Sequence, residues 1–379
     1  MTTKNKLEKG RISVLQLVFL NITFIISTAD VFLPALVAQE AEQDSWLAVI
    51  LGTLTALTYT VLMLALTMKY PDKTIIEYSC TILGKPLGKL VGLLYVYFFF
   101  YVAHVVTREL GEIFVISFIP DSPIAVYSIV TVAVSAYAVY KGLEVIARVN
   151  DILLPVGIAV LIFIGVINIP KMNFSYFLPV LYHGLYPVVK GGILIQTWLL
   201  EVFIVLQLVP FVREKQRVKK GIMSSIALLG MNLQIGVFTI AVFGPLTSNF
   251  LLPALIFVKY ASIGQYINNL DISILVVWVS GIFIKIVLSY YICVLALSQL
   301  FELKSLKPMI IPVGILIICI SIAAAPDITT MLHSMHYILP FYMLTMTVII
   351  PAVLLIIAVI KDKVADAATQ KADTVESGQ

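Results

Sequence analysis

Charge is what this chain has least of. Only 12% of its 379 residues are Asp, Glu, Lys or Arg, about half of the roughly 25% usual in soluble domains. With 60% hydrophobic residues and a mean hydropathy of +1.03, that shortage excludes a water-soluble fold. Cysteine is nearly missing as well. Cys80, Cys293 and Cys319 are an odd number at unrelated places, a pattern that supports neither a disulfide framework nor a metal site. No G-x-S-x-G, H-E-x-x-H or P-loop signature occurs, so the chain is not expected to be an enzyme and calls for no cofactor. His333 and His336 share a helix face near a membrane boundary, where an interfacial role is commoner than metal ligation. The net charge of +4 is accounted for by the loops described next and implies no nucleic-acid partner.

What is present is a series of apolar runs long enough to cross a hydrocarbon layer about 30 Å thick, which takes about 20 residues. They cover residues 12–37, 46–68, 87–118, 124–140, 152–167, 188–212, 221–243, 272–300, 309–324 and 338–360. With ten spans, the basic residues alternate. Lys4, Lys6, Lys9 and Arg11, Lys69, Lys73, Lys85 and Lys89, Lys141 and Arg148, the run "REKQRVKK" at 213–220, Lys304 and Lys307, and Lys361, Lys363 and Lys371 all fall on one side. The opposite loops carry only Lys171, Lys190 and Lys259, and the first of them holds Glu40, Glu42 and Asp44. The positive-inside rule then places both termini in the cytoplasm. Residues 1–11 form a cytoplasmic segment, 12–360 a ten-helix domain with repeats over about 12–167 and 188–360, and 361–379 a disordered tail. The first run is too long, and too interrupted by Asn21, Thr23 and Asp30, for a signal peptide core.

An ionisable group at the centre of a span costs about 2.5 to 3.5 kcal/mol or more unless it pairs or meets water. Span one holds Asp30. Span three holds Tyr97, Tyr101, His104, Arg108, Glu109 and Glu112. Span six holds Gln196, Trp198 and Glu201, span eight holds Lys285, and span seven offers only Asn232 and Gln234. At about 1.5 Å per residue, Glu201 and Lys285 fall near the midplane and are expected to pair, either as part of a switch or as a lock between two helices. Asp30 is the alternative partner for Lys285. Arg108 and Glu112 fit an interfacial i, i+4 ion pair as well as a functional one.

The stretch "ISTADVFLP" at 26–34 places Ser27, Thr28 and Asp30 just before a proline in span one. Transporters built from inverted repeats often interrupt the first helix of each repeat, and bind substrate at the break. Spans one and six are the first helices of two five-helix halves, and both carry polar residues where a break would fall. A ligand site is therefore expected around Ser27, Thr28, Ala29 and Asp30, with Tyr97, Tyr101, Trp198 and Glu201 as walls. The alternative for span one is a proline kink with Asp30 turned outward.

Five stretches carry a family likeness: "QDSWLAVILG", "YPDKTIIEYSCTILGKPLGK", "VFIVLQLVPFV", "PALIFVKYASIGQYINNLD" and "GIFIKIVL", in this order. The chain resembles the spore germination permeases, the B subunits of nutrient germinant receptors, within the amino acid-polyamine-organocation superfamily. The resemblance implies an all-α LeuT-like 5+5 inverted repeat in the spore inner membrane. It also implies a nutrient, such as an amino acid, as ligand, and a larger A subunit and a lipoprotein C subunit as partners. Ser27 and Ala29 stand where the family usually has two glycines before its Leu-Pro. A proton-coupled amino acid transporter and a structural or channel-lining subunit are the competing readings. A test of sidedness follows from the basic loop, whose five positive charges oppose translocation. In intact cells the Gln216→Cys variant should not react with an impermeant thiol reagent beyond the wild-type background. Ready labelling from outside would reverse the topology.

Overall fold

The computed structural model describes residues 7, 8, 10–117, 121–261, 270–324 and 327–376, with 365–376 described by backbone alone. Lys4, Lys6 and Lys9, the end of span three at 118 and part of the 253–271 stretch therefore lie outside the described residues. The first helix, α1 (Val14–Ala41), starts at a reciprocal cap. The Ser13 hydroxyl accepts from the Gln16 amide at 3.1 Å, and the Gln16 side chain accepts from the Ser13 amide at 3.0 Å, which satisfies two donors that a helix start leaves open. Beyond the cap α1 is apolar and buried almost all round from Leu20 to Ala38, as befits a helix enclosed by others. It continues unbroken through Pro34. The break expected in span one is thus not formed, although Pro34 still removes the amide that would have bonded the Asp30 carbonyl.

The remaining helices follow in order: α2 (Ser45–Lys69), α3 (Ile75–Leu83), α4 (Lys85–Ser117), α5 (Ile124–Lys141), α6 (Leu143–Asn168), α7 (Leu185–Leu199), α8 (Val205–Leu208), α9 (Val218–Phe243), α10 (Pro253–Tyr260), α11 (Asp271–Leu300), α12 (Lys307–Ala323), α13 (Ile328–Tyr337), α14 (Leu339–Leu344) and α15 (Ile350–Glu376). Among the described residues eight stretches are long and apolar enough to cross a membrane, and a ninth arises if α12 and α13, bent by 103°, form one. The first of the eight, Val14–Lys69, is 56 residues long and contains both α1 and α2, parted at Glu42, where φ is +44°. The two run in opposite directions. Ile12, ahead of α1, pairs with 211–213, while Asp72, after α2, binds Lys215 of the same segment. Taken as two crossings, they bring the count to ten. α15 continues as helix to Glu376 where composition suggested a disordered tail. Its Ala, Lys and Gln residues are good helix formers.

Contacts between distant segments sort the loops into two ends. At one end Glu8 accepts from the Leu143 amide and the Tyr291 hydroxyl. At this end too, Lys69 pairs with Asp362, Lys215 with Asp72 and Lys89 with Glu302, and Thr74 donates to Gln299. These are the basic loops of the sequence pattern. At the other end Glu40 pairs with Lys190 at 3.1 Å and His336 at 2.8 Å, and Asp44 accepts from the Leu181 amide. The residues flanking position 12 and those flanking position 362 therefore share one end of the bundle.

Helix α3 lies along α4 only because Gly88 lets it. A Cβ there would sit 2.3 Å from the Cys80 Cα and 2.6 Å from its nitrogen, both backbone atoms that cannot swing aside. Gly88→Ala should therefore destabilise the purified chain by about 1–3 kcal/mol, read as a lowered melting temperature in detergent. Unchanged melting would mean that α3 docks elsewhere.

Candidate functional site

Three side chains meet at the centre of the bundle. Lys285 is the fifteenth of the 30 residues of α11, Thr28 the fifteenth of the 28 in α1, and Glu201 the seventeenth of the 27 in Leu185–Phe211. The Lys285 ammonium donates to both Glu201 carboxylate oxygens at 2.7 Å and to the Thr28 hydroxyl at 2.6 Å. The Phe24 ring lies 5.2 Å away on a further side. Lys285 is 0% exposed and Glu201 5%, so the pair is held without solvent. In a low-dielectric interior the attraction is strong, yet two desolvated charges offset much of it, and only saturated hydrogen bonding makes such a pair tolerable. All three ammonium protons are used.

The backbone around Glu201 is not α-helical. After α7 the chain passes into a 3-10 segment, Leu200–Ile204, then one turn of α8 and a second 3-10 segment at Val209–Phe211. Span six is thus the interrupted one, at the polar stretch where a break was expected. A short 3-10 run inside a helix leaves its carbonyls poorly bonded and often marks a hinge. Aromatic rings pack round it: Phe203 lies 5.6 Å from Phe24, 4.5 Å from Phe98 and 5.8 Å from Phe99.

Asp30 takes no part in this cluster. It is half-buried and accepts at 2.9 Å from the Asn232 amide of α9, facing a cavity of ≈ 80 Å³ lined by Ile158, Leu161, Ile162, Gly236 and Trp278. Ser27 opens on an adjoining cavity of ≈ 40 Å³ that shares Asp30 and Trp278. Two residues apart on α1, Thr28 and Asp30 point to different faces, so the expected single pocket divides into a packed charge cluster and a cavity beside it. Ala29 is buried between the two and 0% exposed. Trp198 is buried and is not a wall of that cavity. Tyr101 packs edge-on against His104 and Tyr342. Tyr97 does not face the site: it is 59% exposed on the outer side of α4. Arg108 and Glu112 are bonded, and both are buried inside the bundle. Arg108 donates from Nε to Glu112 at 2.8 Å and also to the Ile322 carbonyl. Asn232 and Trp278 were missed as site residues. One of two side-chain amides, with Gln234, in an otherwise apolar span was the available signal for the first, and an uncharged ring gives none for the second.

The family profile described as "Spore germination protein" matches residues 11–329. Spore germination protein KB of Bacillus subtilis is 29% identical over 372 residues, covering 94% of this chain and 97% of its own. Spore germination protein XB of Bacillus anthracis is 25% identical, covering 83% and 79%. Among solved structures, MhsT in complex with L-phenylalanine superposes with a TM-score of 0.70 at 15% identity over 92% of this chain and 89% of that one. Mhp1, a nucleobase-cation-symport-1 transporter with bromovinylhydantoin bound, gives 0.56 at 11% identity over 88% and 77%. The fold is therefore LeuT-like over most of the chain.

Removing one charge of the central pair leaves the other buried and unpaired. Lys285→Met alone should destabilise the chain by about 3–5 kcal/mol and lower its level in the membrane. Lys285→Met combined with Glu201→Gln should restore both level and melting temperature. A single variant as stable as wild type would show that water reaches Glu201.

Proposed function

We propose that this chain, which belongs to the spore germination protein family, is the nutrient-sensing transmembrane subunit of a germinant receptor. In this reading a small nutrient, an amino acid by class, binds beside the midplane and shifts an equilibrium between two arrangements of the bundle. The observation that carries the reading is the Lys285–Glu201–Thr28 contact, which joins α11, the 3-10 segment of span six and α1 at one point. A ligand shifts such an equilibrium only through a difference in affinity for its two states. Any change in α1 at Ser27 or Asp30, on the cavity side, displaces Thr28 and with it the ammonium. Family membership supports assembly into a receptor complex, with a larger A subunit and a lipoprotein C subunit as the partners. The end of the bundle that carries the basic loops is the cytoplasmic one, and the membrane is the spore inner membrane.

One observation favours a second reading, proton-coupled amino acid transport. Glu109 of α4 is 4% exposed, its Oε2 has no hydrogen-bond partner among the described residues, and it lies within electrostatic reach of Lys285. Two carboxylates thus attend one ammonium, and the surplus one is suited to hold a proton. Uptake of labelled amino acids into proteoliposomes separates the readings: accumulation driven by a proton gradient supports transport, and saturable binding without uptake supports sensing. For the sensor, spores carrying Lys285→Met with Glu201→Gln should contain the chain at wild-type level yet fail to germinate on nutrient. A normal response from those spores would reduce the pair to a lock between helices.

A further inference from the structure

Three neighbouring cavities share one lining residue, Asp30. The largest, ≈ 80 Å³, is walled by aliphatic side chains of α6 and α9 and by the Trp278 ring of α11. Two other acidic side chains deep in the spans have a cation bonded to them, Glu201 with Lys285 and Glu112 with Arg108, and Glu109 lies within electrostatic reach of Lys285. Asp30 instead has only the Asn232 amide, and among the described residues no Lys, Arg or His pairs with it. Trp278 lines the same space. It is 3% exposed, borders both of the larger Asp30 cavities, and among the described residues its buried indole Nε1 has no acceptor. A buried donor without a partner is destabilising, and a carboxylate at this depth more so. Both costs fall if one ligand supplies a cation and an acceptor.

We propose that the Asp30 cavity binds a small primary ammonium compound, with its ammonium on Asp30, a neutral hydrogen-bond acceptor on Trp278 Nε1, and a short branched aliphatic body against Ile158, Leu161 and Ile162. The chemistry narrows the class. One carboxylate and one amide are too few oxygens for a divalent metal ion. An anion would meet Asp30 with no cation to offset it. A zwitterion would bring a second carboxylate against the first, so an amino acid amide or an amino alcohol fits better than a free amino acid. The indole face also offers its ring electrons to an ammonium. The biological meaning of the site rests on the sensor reading, with the nutrient class narrowed from an amino acid to a derivative that keeps the ammonium and lacks the carboxylate.

The test uses the purified full-length chain in detergent and two probes, L-valinamide and 3-methylbutanamide, the second having the same branched body and amide but no ammonium. Calorimetry should show saturable binding of L-valinamide, weaker for 3-methylbutanamide by about tenfold or more, the scale of one charge-assisted bond. Asp30→Asn should weaken L-valinamide to a similar degree, and Trp278→Phe should weaken it several-fold. Gly236→Val fills the cavity without touching a charge, because its Cβ meets only the Pro34 Cγ at 3.7 Å, and should abolish binding while the chain melts normally. Equal affinity for the two probes, undiminished binding by Asp30→Asn or Gly236→Val, or no binding by wild type overturns the proposal. If wild type binds no L-valinamide while spores with the Lys285 and Glu201 double change are still blind to nutrient, this ligand class falls and the sensor stands. If L-valinamide binds as expected while those spores respond normally, the site stands and the switch falls.

Discussion

An ammonium with no exposure to solvent, half-way along a membrane-spanning helix, cannot be left alone. That constraint on Lys285 organises the centre of the molecule. It requires a counter-charge, which Glu201 supplies, and a third acceptor, which Thr28 supplies. It therefore requires α1, α11 and span six to converge at one height in the membrane. The departure of span six from α-helical geometry at Leu200–Ile204 occurs at this height. A 3-10 turn advances the backbone differently from an α turn, so whatever tightens or relaxes that segment also re-aims the Glu201 carboxylate.

The two ends of the bundle do different work. The basic end is laced by pairs whose members are mostly half or fully exposed, such as Lys89 with Glu302 and Lys215 with Asp72. Such pairs add little stability singly, and the charges there mark sidedness more than they clamp the fold. At the opposite end one better shielded group makes two contacts. Glu40 meets Lys190 of α7 and His336 of α13, with side chains of Glu40 and His336 each 14% exposed.

Much of this was legible in the sequence because membrane solvent simplifies the problem. Hydrocarbon requires long apolar runs, and the basic residues gather in every second loop, on one side, so the spans and the common end of residues 12 and 362 could be read from hydropathy and charge alone. The approach of Lys285 to Glu201 could be anticipated by elimination, since few groups at that depth could neutralise one another. Facing was harder. A span that is apolar all round gives no hydrophobic stripe to separate inside from outside, so Tyr97 read as a wall although it looks outward, and nothing local announced that the Ile322 carbonyl, 214 residues away, would help to bury Arg108. Pro34 misled for a related reason. Packing on every side of α1 holds the helix together across the one hydrogen bond that proline removes, and no local propensity reports that support.

The missing bond at Pro34 divides α1 into two unequal levers. Below it, Asn21 is fastened to Ser225 of α9 and Thr23 to Asn150 of α6. Above it, Glu40 is fastened to α7 and α13. Bending concentrates where a helix lacks a rung, and the free carbonyl belongs to Asp30, the residue that faces the cavity. Strain applied at the Glu40 lever therefore collects beside Asp30 and one turn from Thr28, so that a small movement at that end of the bundle reaches the buried ammonium as a change of angle rather than as a displacement of the whole helix.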